Sequence, residues 1–113
     1  MIHIDIFRNE DGNISGYRVH GHSGTAKRGQ DIVCAGISSL AQTALLGISK
    51  HLHRELDGYV NPSGDLQVKL KGAPDDLTQA VLETMRLGFV EITRANPNAV
   101  RIEDSHSQGV KTT

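Results

Sequence analysis

Between Asp31 and Leu56 the apolar residues Ile37, Leu40, Ala41, Ala44, Leu45, Ile48, Leu52 and Leu56 recur at spacings of three and four. That period belongs to an amphipathic helix. It predicts one long helix, from an N-cap at Asp31, whose carboxylate can accept the backbone N–H groups just beyond it, to a left-handed cap at Gly58. The alanines in its apolar stripe predict close packing on a flat partner. The flanking segments supply one, because they alternate with period two. Ile2, Ile4 and Ile6 interleave with His3, Asp5 and Phe7, as in a strand with one buried face. Asn9 to Asn13 is rich in turn formers, and Ile14 to His22 reads as a second strand, so the chain opens on a β-hairpin. Strand alternation puts His20 and His22 on one face.

Past Gly58, Tyr59-Val60 begins a short strand, Asn61 to Asp65 is a turn, and Leu66 to Leu70 alternates as another strand. Pro74-Asp75-Asp76 opens a second helix, with proline and acidic residues suited to its first turn and an apolar stripe of Leu77, Val81, Met85, Phe89 and Ile92. Pro97 stops it, and Val100-Arg101-Ile102 is a last short strand. The fold class expected is α+β: a β-hairpin, a long helix, two strands, a second helix and a last strand, with the helices packed on a mixed sheet. Residues 1–104 form one domain, and the polar residues 105–113 are expected to be a disordered C-terminal tail. With no Trp, two Tyr and two Phe, the core must be aliphatic.

Charge and cysteine usage narrow the function. Lys and Arg number 12 against 13 Asp and Glu, which lacks the basic excess of a general nucleic-acid binder. A single cysteine excludes an internal disulfide and suits a reducing cytoplasm. The N-terminus has no basic start followed by an apolar run, and no later segment is expected to approach membrane-spanning length.

The stretch GHSGTAKRGQDIVCAGISSL, residues 21–40, holds the chemistry. His22 ends the second strand, Ser23 to Gln30 forms a loop of small, polar and basic residues, and Cys34 stands near the expected helix start. With Asp31 as cap, Cys34 is the third helical residue, where unpaired N–H groups and the helix dipole favour an anion. The same amides suit an acyl-transfer oxyanion, and a loop that doubles back brings His22 to the sulfur as base and then acid. Each residue also has a plainer role open to it. Cys34 suits a small buried apolar position, Asp31 caps or else orients the histidine or the loop, and Ser38, one turn past Cys34, either hydrogen-bonds near the sulfur or is merely tolerated. His20, His22 and Cys34 form an incomplete zinc set with no clear fourth ligand, so no metal is expected. Gly24 and Gly29 lack the spacing and the Lys-Ser/Thr of a phosphate loop.

Gly21-His22, Gly24, Gly29, Asp31-Ile32-Val33-Cys34-Ala35 and Ser38 together resemble the signature of the ribosomal-processing cysteine protease family, Prp. The likeness runs over about residues 1 to 104. It implies a small homodimer with His22 as base and Cys34 as nucleophile, with Gly21, Gly24, Gly29, Asp31 and Ser38 in support. It also implies a substrate, the N-terminal extension of a large-subunit ribosomal protein. The cut would follow an aromatic residue in an extended segment, with the loop Ser23 to Gln30 closing over the peptide. Neither cofactor, nucleic acid nor membrane is implied. Two other classes share these features: a ribosome-assembly module that binds without cutting, and a thiol redox sensor.

Overall fold

The computed structural model describes residues 1–21, 28–61 and 64–106, with residues 28–31 and 105–106 described by backbone alone. The opening hairpin joins β1 (Ile2–Arg8) to β2 (Ile14–His20) in antiparallel register, Ile4 facing Val19 and Ile6 facing Tyr17. Helix α1 (Arg28–Leu46) runs into a π-turn at Gly47–His51. Then come β3 (Leu56–Val60), β4 (Leu66–Leu70), α2 (Asp76–Ala95) and β5 (Val100–His106). The sheet order is β3-β4-β2-β1-β5, with β5 parallel to β1 and the other neighbours antiparallel. The expected order of elements is therefore the observed one, and the sheet is mixed.

The period-two alternation decides which sheet face is covered. Ile2, Ile4, Ile6, Tyr17, Val19, Leu66 and Val68 form one buried cluster with Ile37, Ala41, Ala44 and Ile48 of the first helical segment and Leu82, Met85 and Phe89 of α2. Both helices thus share one face. The opposite face carries the alternate residues, among them His3 stacked on His20 with ring centroids 5.2 Å apart. At the helix crossing Gly88 lies under Leu40, whose methyl would be 2.8 Å from an added Cβ, so a small residue sets the approach. The N-terminus of α2 has a full capping box, Asp75 accepting from the Thr78 N–H at 2.8 Å while the Thr78 hydroxyl accepts from the Asp75 N–H at 2.9 Å.

The boundaries of the first helix differ from expectation at both ends. Arg28, Gly29 and Gln30 are already helical, so Asp31 is the fourth residue of α1 and not its cap. These residues add nothing to an apolar stripe, which is why periodicity does not register them. At the other end the chain leaves the helix after His51, His53 takes a left-handed φ of 55°, and the Arg54 N–H bonds to the Ile48 carbonyl at 3.0 Å. The turn expected at Gly58 is made five residues earlier by a histidine. Leu56 belongs to β3, and its spacing from Leu52 imitates a helical period by coincidence. Gly58 lies inside that strand, so close to β4 that an added Cβ would collide with the Gln67 carbonyl. The run Ile32–His51 is also long and apolar enough to cross a bilayer, contrary to expectation, although in this fold its apolar side lies on the sheet. Finally, β5 continues through Ser105 and His106, past the expected domain end; the rest of the tail, 107–113, lies outside the described residues.

One charged cluster locks the far end of the sheet. Arg8 donates from Nε and a terminal nitrogen to both oxygens of Asp104, at 2.7 and 2.9 Å, and from its other terminal nitrogen to Glu83 at 2.9 Å and the Gly12 carbonyl at 2.8 Å. The bond from Arg8 holds the Glu83 carboxyl below its ordinary range; burial opposes it, and the bond from Arg86 adds a smaller downward pull. A carboxyl depressed by folding contributes stability that is fully present above its unfolded value, about 4.3, and is lost as the pH falls through the lower folded one. Glu83→Gln should therefore flatten the acid side of the stability profile. Melting curves at about pH 3 and about pH 6 would show a smaller difference for the variant than for the parent; an unchanged difference would remove Glu83 from the acid response.

Candidate active site

Cys34 is the seventh residue of α1, in its second turn. The free N–H groups of a helix start belong to its first four residues, here 28–31, and the dipole acts mainly within that turn. The expected placement of the sulfur beside unpaired amides is thus corrected: those groups lie about one turn before it. The accessibility expected of a nucleophile is met. Cys34 is half-buried, packed against the core on one side and open on the other to a cleft of about 390 Å³.

That cleft sits at one end of the sheet under the first half of α1. Ile2, Val19 and Leu66 rise from β1, β2 and β4 to meet Ile37 and Ala41 of the helix, giving an apolar interior. Cys34, Ser38 and Gln42 follow at intervals of one turn along the wall. Gln42 donates its amide to the Ser38 hydroxyl oxygen at 2.8 Å, which leaves the hydroxyl hydrogen free to point elsewhere. Ser38 was anticipated and Gln42 was not, although its place at Cys34 plus eight was the available signal. Val60, Asn61 and Gly64 form the rim contributed by β3 and the following turn.

Gly21 completes the rim and explains its own identity. It leaves β2 with φ at 78°, and an added Cβ would lie 2.6 Å from the Met1 carbonyl. Only a residue without a side chain makes this turn without strain. The strand ends at His20, so the expectation that His20 and His22 share a face falls partly outside the described residues. His22 and Gly24 themselves lie outside them, as do Ser23 to Lys27 of the expected loop, whose last members, 28–30, prove helical. Gly29 and Asp31 take part in the first turn of α1. The candidate zinc set is not assembled: His20 faces Asp5 at 3.2 Å on the open side of the sheet, whereas Cys34 lies on the covered side.

A family model described as cysteine protease Prp matches residues 1–101. The ribosomal processing cysteine protease Prp of Staphylococcus aureus is 27% identical over 105 residues, spanning 90% of this chain and 97% of that protein. Among solved structures, Prp of S. aureus in complex with a substrate peptide superposes with a TM-score of 0.85 at 24% identity, covering 93% of this chain and all of the other. A Streptococcus mutans protein superposes with a TM-score of 0.84 at 20% identity, covering 95% and 99%. These structural likenesses cover nearly the whole chain and show the same fold.

Proposed function

This chain belongs to the cysteine protease Prp family, and from that premise we propose that it removes the N-terminal extension of a large-subunit ribosomal protein, with Cys34 as nucleophile and His22 as its base. The observation that carries this is the shared cleft. The half-exposed Cys34 and Gly21, the residue bonded to His22, line the same cavity.

The Cys34 thiolate attacks the scissile carbonyl, and the carbonyl oxygen becomes an oxyanion. His22, carrying the proton taken from the thiol, delivers it to the departing amine as the C–N bond breaks and a thioester forms. Water, giving its proton to His22, then attacks the thioester, and the thiolate leaves. Because the helix-start amides lie a turn away, Ser38, held by Gln42, is a described side chain with a hydrogen to offer the oxyanion. The apolar interior of the cleft suits a large apolar side chain beside the cut. The ribosomal assignment rests on the S. aureus relative, named a ribosomal processing protease. The same reading makes the enzyme cytoplasmic and homodimeric, with no cofactor and no need for nucleic acid.

Incubation of the protein with the precursor of its own organism's ribosomal protein, followed by intact mass measurement, tests this. One new N-terminus should form, and His22→Ala should lower its rate by at least about 100-fold at neutral pH. A stable complex without products would favour a binding module, and unchanged turnover in the variant would assign the base elsewhere.

A further inference from the structure

Strand β3 is the edge of the sheet next to the Cys34 cleft, and its backbone has a definite polarity. The Asn61 N–H bonds to the Asp65 carbonyl at 2.8 Å, and the Lys71 N–H to the Glu55 carbonyl at 3.1 Å. With Leu56 opposite Leu70 and Val60 opposite Leu66, antiparallel alternation turns the backbone groups of residues 55, 57, 59 and 61 toward β4. Those of Leu56, Gly58 and Val60 turn outward. Edge strands are usually guarded by lysine, proline or a covering element. Among residues 56–60 there is a single charge, Asp57, and Tyr59 and Val60 are exposed.

A second groove, of about 400 Å³, runs between this edge and the end of α1 with the π-turn after it, over Leu45, Ser49, Leu56 and Val68. Val60 lines both this groove and the Cys34 cleft. Five strand residues extend about 14 Å at roughly 3.4 Å each, enough to seat several residues of an extended chain beside them.

We propose that the polypeptide substrate docks as an added strand on the outer edge of β3, on one side of the scissile bond, with alternate apolar side chains entering the groove between β3 and α1. Main-chain hydrogen bonds to Leu56, Gly58 and Val60 supply register, and the groove supplies side-chain selection. This rests on the processing activity proposed above. It favours substrate over a second copy of the chain because Val60, at the end of this edge, also lines the cleft that holds Cys34.

The test uses the full-length Cys34→Ala protein and a synthetic peptide spanning the extension and the first mature residues of the ribosomal protein. Residue-resolved amide exchange is followed by NMR. The Leu56, Gly58 and Val60 amides should exchange at least about tenfold more slowly with peptide, while Asp57 and Tyr59 hold their rates. Peptides N-methylated at alternate residues should lose that protection, and the wild-type protein should cut them at least about tenfold more slowly. Peptide-induced shifts at Ser38 and Ala41 without protection in β3 would overturn the track and leave the processing activity standing. No shift at either place would overturn both. Protection that rises with protein concentration in the absence of peptide would give the edge to a second copy and overturn the proposal.

Discussion

Cys34→Ala should lower kcat/KM for precursor cleavage by about 10,000-fold or more, with the fold retained. The size follows from chemistry. Without the sulfur there is no thioester, and water must attack the amide directly, aided only by binding and by whatever donors face the oxyanion. Retention of the fold follows from position. Cys34 is half-buried and faces a cavity on its open side, so removing one sulfur costs about 1 kcal/mol, and the melting temperature falls by about 4–8 °C at most. Cys34→Ser should be nearly as inactive, because a serine hydroxyl ionises far less readily than a thiol and no described group is placed to compensate. Progress curves for cleavage, with melting curves for both variants, check this. Substantial turnover by the alanine variant would remove Cys34 from the chemistry.

The described part of the candidate site was legible because it depends on local order. Cys34 and Ser38 stand one turn apart within one stretch, so their element could be assigned from helical period. The architecture was legible for the same reason: Ile2, Ile4 and Ile6 are buried as their alternation requires, and Met85 and Phe89 are buried on α2 as its period requires, although Leu77 at the head of the expected stripe is exposed and Leu82, outside it, is buried. Boundaries set by backbone conformation were less legible. A left-handed histidine ends the first helical segment where a glycine was expected, and helix α1 starts through Gly29, a residue that usually marks a loop. The earlier helix start has a chemical consequence, since it puts the free amides a turn away from the sulfur. Gln42 escaped notice because an exposed glutamine on a helix carries no signal until Ser38 is seen to accept its hydrogen bond. The place of Val60 in the lining of both cavities depends on tertiary packing, and no local pattern encodes it.

Gly21→Ala should reduce kcat/KM by about 100-fold, although the substitution adds a single methyl outside the core. Two effects combine. At φ of 78° an L-residue is strained by about 1–2 kcal/mol, and the new Cβ would meet the Met1 carbonyl at 2.6 Å. That carbonyl cannot readily give way, because the adjoining Ile2 N–H is held by the Ala99 carbonyl at 2.9 Å and β1 is bonded to strands on both sides. The chain at position 21 must shift instead, and with it the direction in which the backbone departs toward His22. A displacement of about 1 Å in a catalytic group is enough for the expected loss. Gly12→Ala separates strain from displacement. Gly12 has a similar φ of 85° but nothing within 4 Å of an added Cβ, and it lies in the hairpin turn at the opposite end of β1 and β2. Both variants should melt about 4–10 °C lower than the parent, yet only Gly21→Ala should lose activity. Equal activity in the two variants would reduce Gly21 to a backbone convenience and break the proposed link between the strand end and the histidine.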